Sequence, residues 1–367
     1  MSTGQERRIN GATPRRRPRG PAVVLVTGVA RYLGAQVAAR LAADPRIGRV
    51  IGLDSEEPPA ESAILLAGGV EFVAADITTT EPAKIIASER VEAVVHLAVA
   101  GDRRAGGRPA MKEQNVIGTM QLLAACQQAP HLRKIVIRSS TAAYGASFRD
   151  PAVFTEDTEP REVPRGGFAR DVLDIEGYVR GFLRRRSDVA ATVLRFAPFI
   201  GRRANTSLTR YFALPLVPTV LGRDPRLQFI HVDDALEVLH RSVVEDHPGT
   251  FNVAGAGVIT LSQAVRRANR VAIPVTEQGL SAAAGMARSG VKFSLDQLDL
   301  FVHGRVVDTS RLIREYGYTP LSTSDAFADF LRGTGAGGIV PEDAIGAAER
   351  TILGGIRAAR AALRGAS

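Results

Sequence analysis

The chain has 367 residues, of which 45% are hydrophobic, and a formal net charge of +9. This composition supports a substantial core and excludes a disordered chain. The single cysteine, Cys126, excludes an intramolecular disulfide and a multi-thiolate metal site, and we expect no metal. No apolar run approaches the ~20 residues of a membrane span, so we expect a cytoplasmic protein.

The positive charge is concentrated at the N-terminus. Residues 1–21 hold six arginines and one glutamate, a net charge of +5, which leaves +4 for the rest of the chain. Three prolines and three glycines in the same segment favour a disordered, solvated tail over a nucleic-acid-binding arm. The remaining chain has no basic stripe interleaved with aromatic residues, so we expect no nucleic-acid partner.

From residue 22 onward, short apolar segments alternate with helical patterns. The predicted strands are Val23–Thr27, Val50–Asp54, Glu71–Ala74, Ala93–Leu97, Lys134–Ser139 and Ala191–Arg195. The predicted helices are Leu33–Ala43, Ile85–Glu89, Ala110–Gln128 and Ala169–Arg185. This alternation predicts an α/β fold with a Rossmann-type doubly wound parallel sheet, which binds ligands at the carboxyl ends of its strands.

The pattern loosens after residue 195, where prolines become frequent, and returns with a predicted strand at Gln228–Val232 and a helix at Asp234–Val244. The predicted organisation is a disordered basic tail at 1–21, a dinucleotide-binding domain at 22–202 with a contribution from 228–255, a smaller C-terminal substrate lobe from 203–227 and 256–333, and a tail at 334–367. The C-terminal tail is predicted to contain an Ala/Arg-rich helix, Asp343–Leu363, which packs either on the rest of the chain or on another subunit.

The first predicted strand runs through a glycine loop into a helix. Backbone N–H groups and the dipole at such a helix start suit a pyrophosphate. Gly28 is placed for the tight turn, and Gly34 for close packing of the helix on the strand. Asp54 ends the second strand, where its carboxylate would accept hydrogen bonds from ribose hydroxyls and repel a 2′-phosphate. The sequence therefore predicts NAD as the cofactor.

Several motifs occur in order along the chain: the TGxxGxxG-like loop at 27–34, Asp76-Ile77, His96-Leu97-Ala98, the NVxGT-like segment at 115–119, the SSxxxYG-like segment at 139–145, HVDD at 231–234 and an NVGG-like segment at 252–255. Together they resemble the motifs of the extended short-chain dehydrogenases/reductases, the NAD-dependent epimerase/dehydratase family, and look most like UDP-glucose 4-epimerase-like proteins over residues 22–333. The resemblance implies an oxidoreductase that acts on a nucleotide-sugar-like substrate, and a homodimer formed through two long helices. The cofactor-binding residues it implies are Gly28, Arg31, Tyr32, Leu33, Gly34, Asp54, Asp76, Ile77, Leu97, Ala98 and Asn115.

The chain departs from the family at the middle glycine of the loop, which is Arg31. Glycine there lets the backbone approach the pyrophosphate. The arginine either pairs with a phosphate in bidentate fashion or blocks the site, and the sequence leaves both open.

A second departure affects the catalytic pair. The family resemblance implies a Tyr and a Lys spaced YxxxK, with a neighbouring serine, and Ser140 stands at the serine position. Phe168 and Val172 occupy the Tyr and Lys positions, and neither side chain exchanges a proton. Arg170 and Asp171 are weak alternatives.

The third departure is at the arginine that sugar-nucleotide epimerases place for the substrate phosphates, since that position is Leu227. The substrate-binding candidates are therefore Arg226, one residue earlier, together with Arg223 and Arg210. A one-residue offset on a strand turns a side chain to the opposite face, which makes recognition of a UDP-sugar an open question.

Two functional hypotheses follow. The first is an NAD-dependent epimerase/dehydratase-like oxidoreductase with an atypical active site. The second is an NAD(H)-binding sensor or scaffold without turnover, which explains why the binding motifs are better kept than the chemical ones. A third interpretation is that Arg31 abolishes dinucleotide binding and only the fold remains.

Overall fold

The computed structural model describes residues 20–100, 107–164, 167–276 and 295–334. The predicted N-terminal tail, apart from its last two residues, and the predicted helix Asp343–Leu363 lie outside the described residues. The strands are β1 Val23–Thr27, β2 Arg49–Asp54, β3 Val70–Ala74, β4 Ala93–His96, β5 Lys134–Ser140, β6 Ala190–Phe196, β7 Phe199–Ile200, β8 Leu216–Val220, β9 Arg226–Leu227, β10 Ile230–His231, β11 Gly249–Val253, β12 Ile259–Thr260 and β13 Val271–Val275.

Helices connect the strands of the main sheet and follow them in the C-terminal part of the chain. They are α1 Tyr32–Ala42, α2 Ala60–Leu66, α3 Glu81–Ser88, α4 Gly107–Lys112, α5 Thr119–Gln127, α6 Gly167–Leu183, α7 Ser207–Ala213, α8 Val232–Val244, α9 Leu261–Arg267, α10 Leu295–His303, α11 Ser310–Tyr316 and α12 Thr323–Thr334. A π-helical turn, Glu113–Gly118, joins α4 to α5, and a 3₁₀ turn, Thr141–Tyr144, follows β5.

The described residues form a seven-stranded sheet in the order β11-β6-β5-β4-β1-β2-β3, and every neighbouring pair is parallel. The chain winds outward from β1 in both directions, so the strand order reverses between β1 and β4. That point opens a crevice at the carboxyl ends of the strands, which is where doubly wound sheets bind ligands. The predicted fold class is therefore confirmed.

Buried apolar side chains fill both faces of the sheet, as a parallel sheet requires. Helices α1, α2, α8 and α11 pack on one face, and α3, α5 and α6 on the other. Cys126 of α5 is fully buried in the second cluster, where burial raises the pKa of its thiol to about 12. A third apolar cluster lies beyond the sheet and contains side chains of α7, α9, α10 and α12 together with β8.

The structure corrects several predicted element bounds. The helix predicted at Ala110–Gln128 is interrupted by the π-helical turn, and α2 was not predicted. The strand predicted at Gln228–Val232 is shortened to β10, because Val232 already belongs to α8, which His231 caps by accepting a hydrogen bond from the backbone of Asp233. A seventh strand, β11, extends the sheet beyond the six predicted.

Candidate functional site

A cavity of about 720 Å³ lies at the carboxyl ends of the strands. Its walls come from the loop after β1, from the ends of β5 and β6, and from the third apolar cluster. Its lining residues include Arg31, Tyr32, Leu33, Glu61, Arg138, Ser140, Phe168, Phe199, Arg203 and Arg305. The cavity therefore brings the predicted glycine loop and the predicted catalytic positions to one site.

Two loop positions must be glycine. Gly28 has φ +84°, and a Cβ there would lie 2.8 Å from the backbone nitrogen of Ala98. A Cβ on Gly34 would lie 2.1 Å from the carbonyl oxygen of Gly28, closer than any side chain tolerates. The loop thus packs tightly between β1, the end of β4 and the start of α1.

Arg31 stands at the start of α1 on the cavity wall, next to Tyr32 and Leu33. Its backbone has φ −93° and ψ 150°, an extended conformation open to every residue. The loop therefore accepts arginine at the usual glycine position without backbone strain, and the residue lines the cavity.

Asp54 is held against the glycine loop at the end of β2. It is 3% exposed; Oδ2 accepts a hydrogen bond from the backbone of Ala30 at 3.0 Å, and Oδ1 accepts one from Glu56 at 3.2 Å. Ser62 of α2 donates to the carbonyl of Ala30 at 3.4 Å. These contacts orient the carboxylate at the position predicted for the ribose.

His96 is a packing residue in a buried hydrogen-bond network. Nδ1 lies 2.8 Å from Oγ1 of Thr27, and Nε2 lies 2.9 Å from Oγ1 of Thr119. Burial, and then the nearby Arg138 guanidinium, lowers the pKa of His96 to about 4. Oγ1 of Thr27 also accepts from the backbone of Leu97 at 3.2 Å, and from that of the next residue at 3.3 Å. The network fixes the end of β4, including the predicted Leu97 and Ala98, beside the loop.

Asn115 lies in the π-helical turn and binds the backbone beyond β4. Its Oδ1 accepts from the Ala100 nitrogen at 2.8 Å and its Nδ2 donates to the Ala100 carbonyl at 3.0 Å. Nδ2 also donates to Asp171 at 3.1 Å, and Asp171 pairs with Arg108 at 2.5 Å. Asp171 is fully buried in these contacts and the exposed Arg170 pairs with Asp174, so neither is placed as a substitute acid or base.

Asp76 and Ile77 follow β3 and differ in burial. Asp76 is exposed, and its Oδ1 accepts from the backbone and the hydroxyl of Thr78 at 2.8 and 2.9 Å. Ile77 is buried against Gly118 of the π-helical turn, where a Cβ would lie 2.5 Å from its Cδ1.

The residues at the predicted catalytic positions lie on or beside the cavity wall. Ser140 lines the cavity, and its Oγ accepts from the backbone of Ala142 at 3.1 Å. Phe168 lines the cavity from the first turn of α6, whereas Val172, one turn later, is fully buried. A phenyl ring therefore faces the cavity where the family resemblance implies a tyrosine.

A buried polar network supports this wall and was not predicted. Glu176 of α6 accepts hydrogen bonds from Ser139 at 2.5 Å and from Arg195, with which it forms a 2.7 Å ion pair. Arg195 also donates to the hydroxyl of Tyr144 at 2.9 Å, which in turn donates to Asn252 at 2.7 Å. Burial raises the pKa of Tyr144. The network ties α6 to β5, β6 and β11.

None of the three predicted substrate arginines is among the described lining residues of this cavity, although Arg210 contacts the lining residue Asn205. Arg210 donates to Asn205 at 2.7 Å, and Arg226 donates to the carbonyl of Ala152 at 3.0 Å. Arg223 lies over the ring of Phe148 at 4.3 Å and, with Arg226, lines a second cavity of about 220 Å³.

Three other arginines, Arg138, Arg203 and Arg305, line the large cavity and were missed by sequence reasoning. Arg138 could have been noticed because it interrupts an apolar strand directly before the SSxxxYG-like segment. Arg305 is 9% exposed and lines both cavities.

Comparison with known proteins agrees with the predicted family and fold. A sequence profile of the NAD dependent epimerase/dehydratase family matches residues 24–254. The chain belongs to this family, whose cofactor is NAD, as predicted. Among the described residues, no helix has the length and apolar character needed to cross a membrane.

Individual proteins extend this comparison. The chain is 46% identical over 322 residues to an uncharacterized protein of Mycobacterium tuberculosis, covering 87% of this chain and 85% of the relative, and equally to one of Mycobacterium bovis. It resembles a UDP-glucuronic acid 4-epimerase from Bacillus cereus in complex with NAD, with a TM-score of 0.63 and 18% identity over 85% of this chain and 98% of that one. A UDP-glucose 4-epimerase from Thermotoga maritima gives a TM-score of 0.64 and 19% identity, with the same coverage.

Proposed function

We propose that this protein binds NAD(H) and a nucleotide-linked sugar together in the large cavity, and does not use the family's Tyr–Lys proton relay. The observation that carries this proposal is the placement of Phe168 on the cavity wall while Val172 is fully buried. Binding features surround the cavity, and the two groups that would move and stabilise a proton are apolar. The protein would then act as a sensor, scaffold or partner subunit.

The residues around the loop fit NAD. Gly28 and Gly34 let the loop turn tightly and pack against the start of α1, which would supply N–H groups and a positive dipole end to a pyrophosphate. Asp54 would accept hydrogen bonds from the ribose hydroxyls and repel the 2′-phosphate of NADP. NAD, when bound, supplies the ability to accept and return a hydride.

Other residues implied by the family resemblance would complete this cofactor site. Asp76 and Ile77 would flank the adenine, as the family resemblance implies. Leu97 and Ala98 would line the path of the cofactor at the end of β4, and Asn115 would hold the backbone beyond it through its two bonds to Ala100.

Ser140 and Phe168 determine what chemistry this site supports. Phe168 has no exchangeable proton, and a serine hydroxyl alone is a weak acid or base near neutral pH. Losing a positioned acid or base costs roughly 10²–10⁴ in rate. Orientation of bound ligands is the main contribution that remains.

The test is calorimetric titration of folded, nucleotide-free protein with NAD and with NADP, followed by a search for hydride exchange. We expect binding of NAD in preference to NADP, and no transfer of deuterium to NAD from a panel of sugar nucleotides labelled at a carbinol carbon. Absence of heat with both dinucleotides would contradict the binding role. Label transfer at the rates of ordinary enzymes would contradict the absence of turnover.

A second candidate function is slow epimerase or dehydratase activity that depends on Ser140. The observation in its favour is that Ser140 remains on the cavity wall at the position implied by the family resemblance. Residual hydride exchange that disappears in Ser140→Ala, with NAD affinity unchanged, would support it over the first candidate.

We also propose a homodimer through α5, α6 and the adjoining π-helical turn. Ile117, Met120 and Tyr178 present partly exposed apolar surface there, at 38%, 36% and 37% exposure. Light scattering should give twice the chain mass. A monomer at micromolar concentration would contradict the proposal.

A further inference from the structure

Positive charge dominates the wall of the large cavity. Its described lining residues include four arginines, Arg31, Arg138, Arg203 and Arg305, and a single carboxylate, Glu61. A cavity of this charge within low-dielectric walls concentrates anions. Its ligands together should therefore carry several negative charges.

The arginines lie at different places along the cavity. Arg31 precedes α1 in the cofactor loop, whereas Arg203 and Arg305 follow β7 and α10. The diphosphates of a dinucleotide and of a nucleotide sugar would account for anions near these three. Arg138 is different because it lies on β5 only two residues before Ser140, where the sugar would meet the catalytic positions.

Arg138 is held in place by the elements around it. Its Nη1 donates to the carbonyl of Val99 at 2.6 Å, and its guanidinium carbon lies 5.4 Å from the ring centre of Phe199. Its charge contributes to the lowered pKa of His96 at the end of the neighbouring strand. A side chain anchored on a strand loses little entropy on binding and so favours one ligand geometry.

We propose that the sugar part of the ligand carries a carboxylate and that Arg138 binds it, which makes Arg138 the residue that selects sugar acids over neutral sugars. This inference rests on the proposed function. The planar guanidinium matches a carboxylate in bidentate geometry, so a carboxylate can accept two parallel hydrogen bonds and also form an ion pair, whereas a hydroxyl group is uncharged and accepts from one N–H. The hydroxymethyl group of a neutral hexose offers only the weaker bond.

The test titrates the NAD-loaded full chain with UDP-glucuronate and UDP-glucose. We expect wild type to bind UDP-glucuronate roughly 10- to 100-fold more tightly. Arg138→Met should lose this preference while keeping its affinity for UDP-glucose and NAD. Arg223→Met, a matched loss of one arginine from the second cavity, should keep the preference, and Arg138→Lys should give an intermediate one.

Each alternative outcome is distinguishable. Equal wild-type affinities for the two sugar nucleotides would overturn the inference and leave the proposed function intact. An Arg138→Met variant with weakened NAD or UDP-glucose binding would overturn it too, because Arg138 would then serve the cofactor or the diphosphate. If Arg138→Met fails to fold, an unchanged preference in folded Arg138→Lys would overturn it. Failure of folded, NAD-loaded protein to bind either sugar nucleotide would contradict the proposed function itself.

Discussion

Replacing Arg31 by glycine restores the usual residue of the loop motif, and its effect on NAD affinity separates a phosphate-binding arginine from a blocking one. The extended backbone of Arg31 is open to all residues, so glycine relieves no strain. Glycine adds freedom to the unfolded chain and should cost about 0.5–1 kcal/mol of stability. We therefore expect a slightly lower Tm for Arg31→Gly.

The larger effect should be on binding. A charge-assisted hydrogen bond to a phosphate contributes about 1.5–3 kcal/mol, so the Kd for NAD should rise roughly 10- to 100-fold in Arg31→Gly. Arg31→Met is the matched control, because it removes the charge and keeps a long side chain. It should lose similar affinity without the loss of stability.

Calorimetric titration at low and high salt measures both effects. The affinity difference between wild type and Arg31→Met should shrink as salt screens the phosphate contact. Tighter NAD binding by Arg31→Gly than by wild type would refute this reasoning and show that the arginine obstructs the pyrophosphate.

Three further predictions concern catalysis and stability. Phe168→Tyr combined with Val172→Lys should raise the rate of hydride exchange with a sugar nucleotide by tenfold or more. An unchanged rate in a folded double variant would argue against the alignment of these two residues with the family's Tyr and Lys. Glu176→Gln should lower the free energy of unfolding by about 3–5 kcal/mol, because Arg195 stays buried without its ion pair; a loss below 1 kcal/mol in urea unfolding would contradict this. The pKa of His96 falls to about 4 in the folded protein, so the contribution of the neutral imidazole to stability is complete above about pH 6.5 and is lost as the pH falls from there through 4. The free energy of unfolding of His96→Gln should therefore vary less with pH over that window. An equal pH dependence in wild type and variant would show that His96 is not the group responsible.

The sheet was predictable because its strands are short apolar runs with punctuation at both ends. The bounds of β1 were predicted to the residue. Helix α2 was not predicted, because it follows two acidic residues and two prolines and is only seven residues long. Its place is fixed by contacts distant in sequence, such as burial of Leu66 and the bond from Ser62 to the glycine loop.

The site was predictable where one short motif carries the geometry. Gly28, Gly34 and Asp54 belong to a single strand–loop–helix–strand unit, so their spacing was enough to place them. The arginines that line the cavity could not be predicted from the spacing of a single motif. Arg305 meets the cavity through a chain segment far beyond Ser140, and only the packing of the third apolar cluster brings the two together.

The π-helical turn Glu113–Gly118 sets the rotation of two stretches of helix relative to one another. One extra residue in a helix rotates everything beyond it by about 100°, since each residue of an α-helix turns by that amount. Removing one residue from this turn would leave Leu122 and Cys126 of α5 packed in the core, and would turn Asn115 away from Ala100. Single-residue length variation at this turn would thus change the contact of Asn115 with the backbone beyond β4 while the fold persists. The NAD affinity of a one-residue deletion would show whether that contact supports cofactor binding.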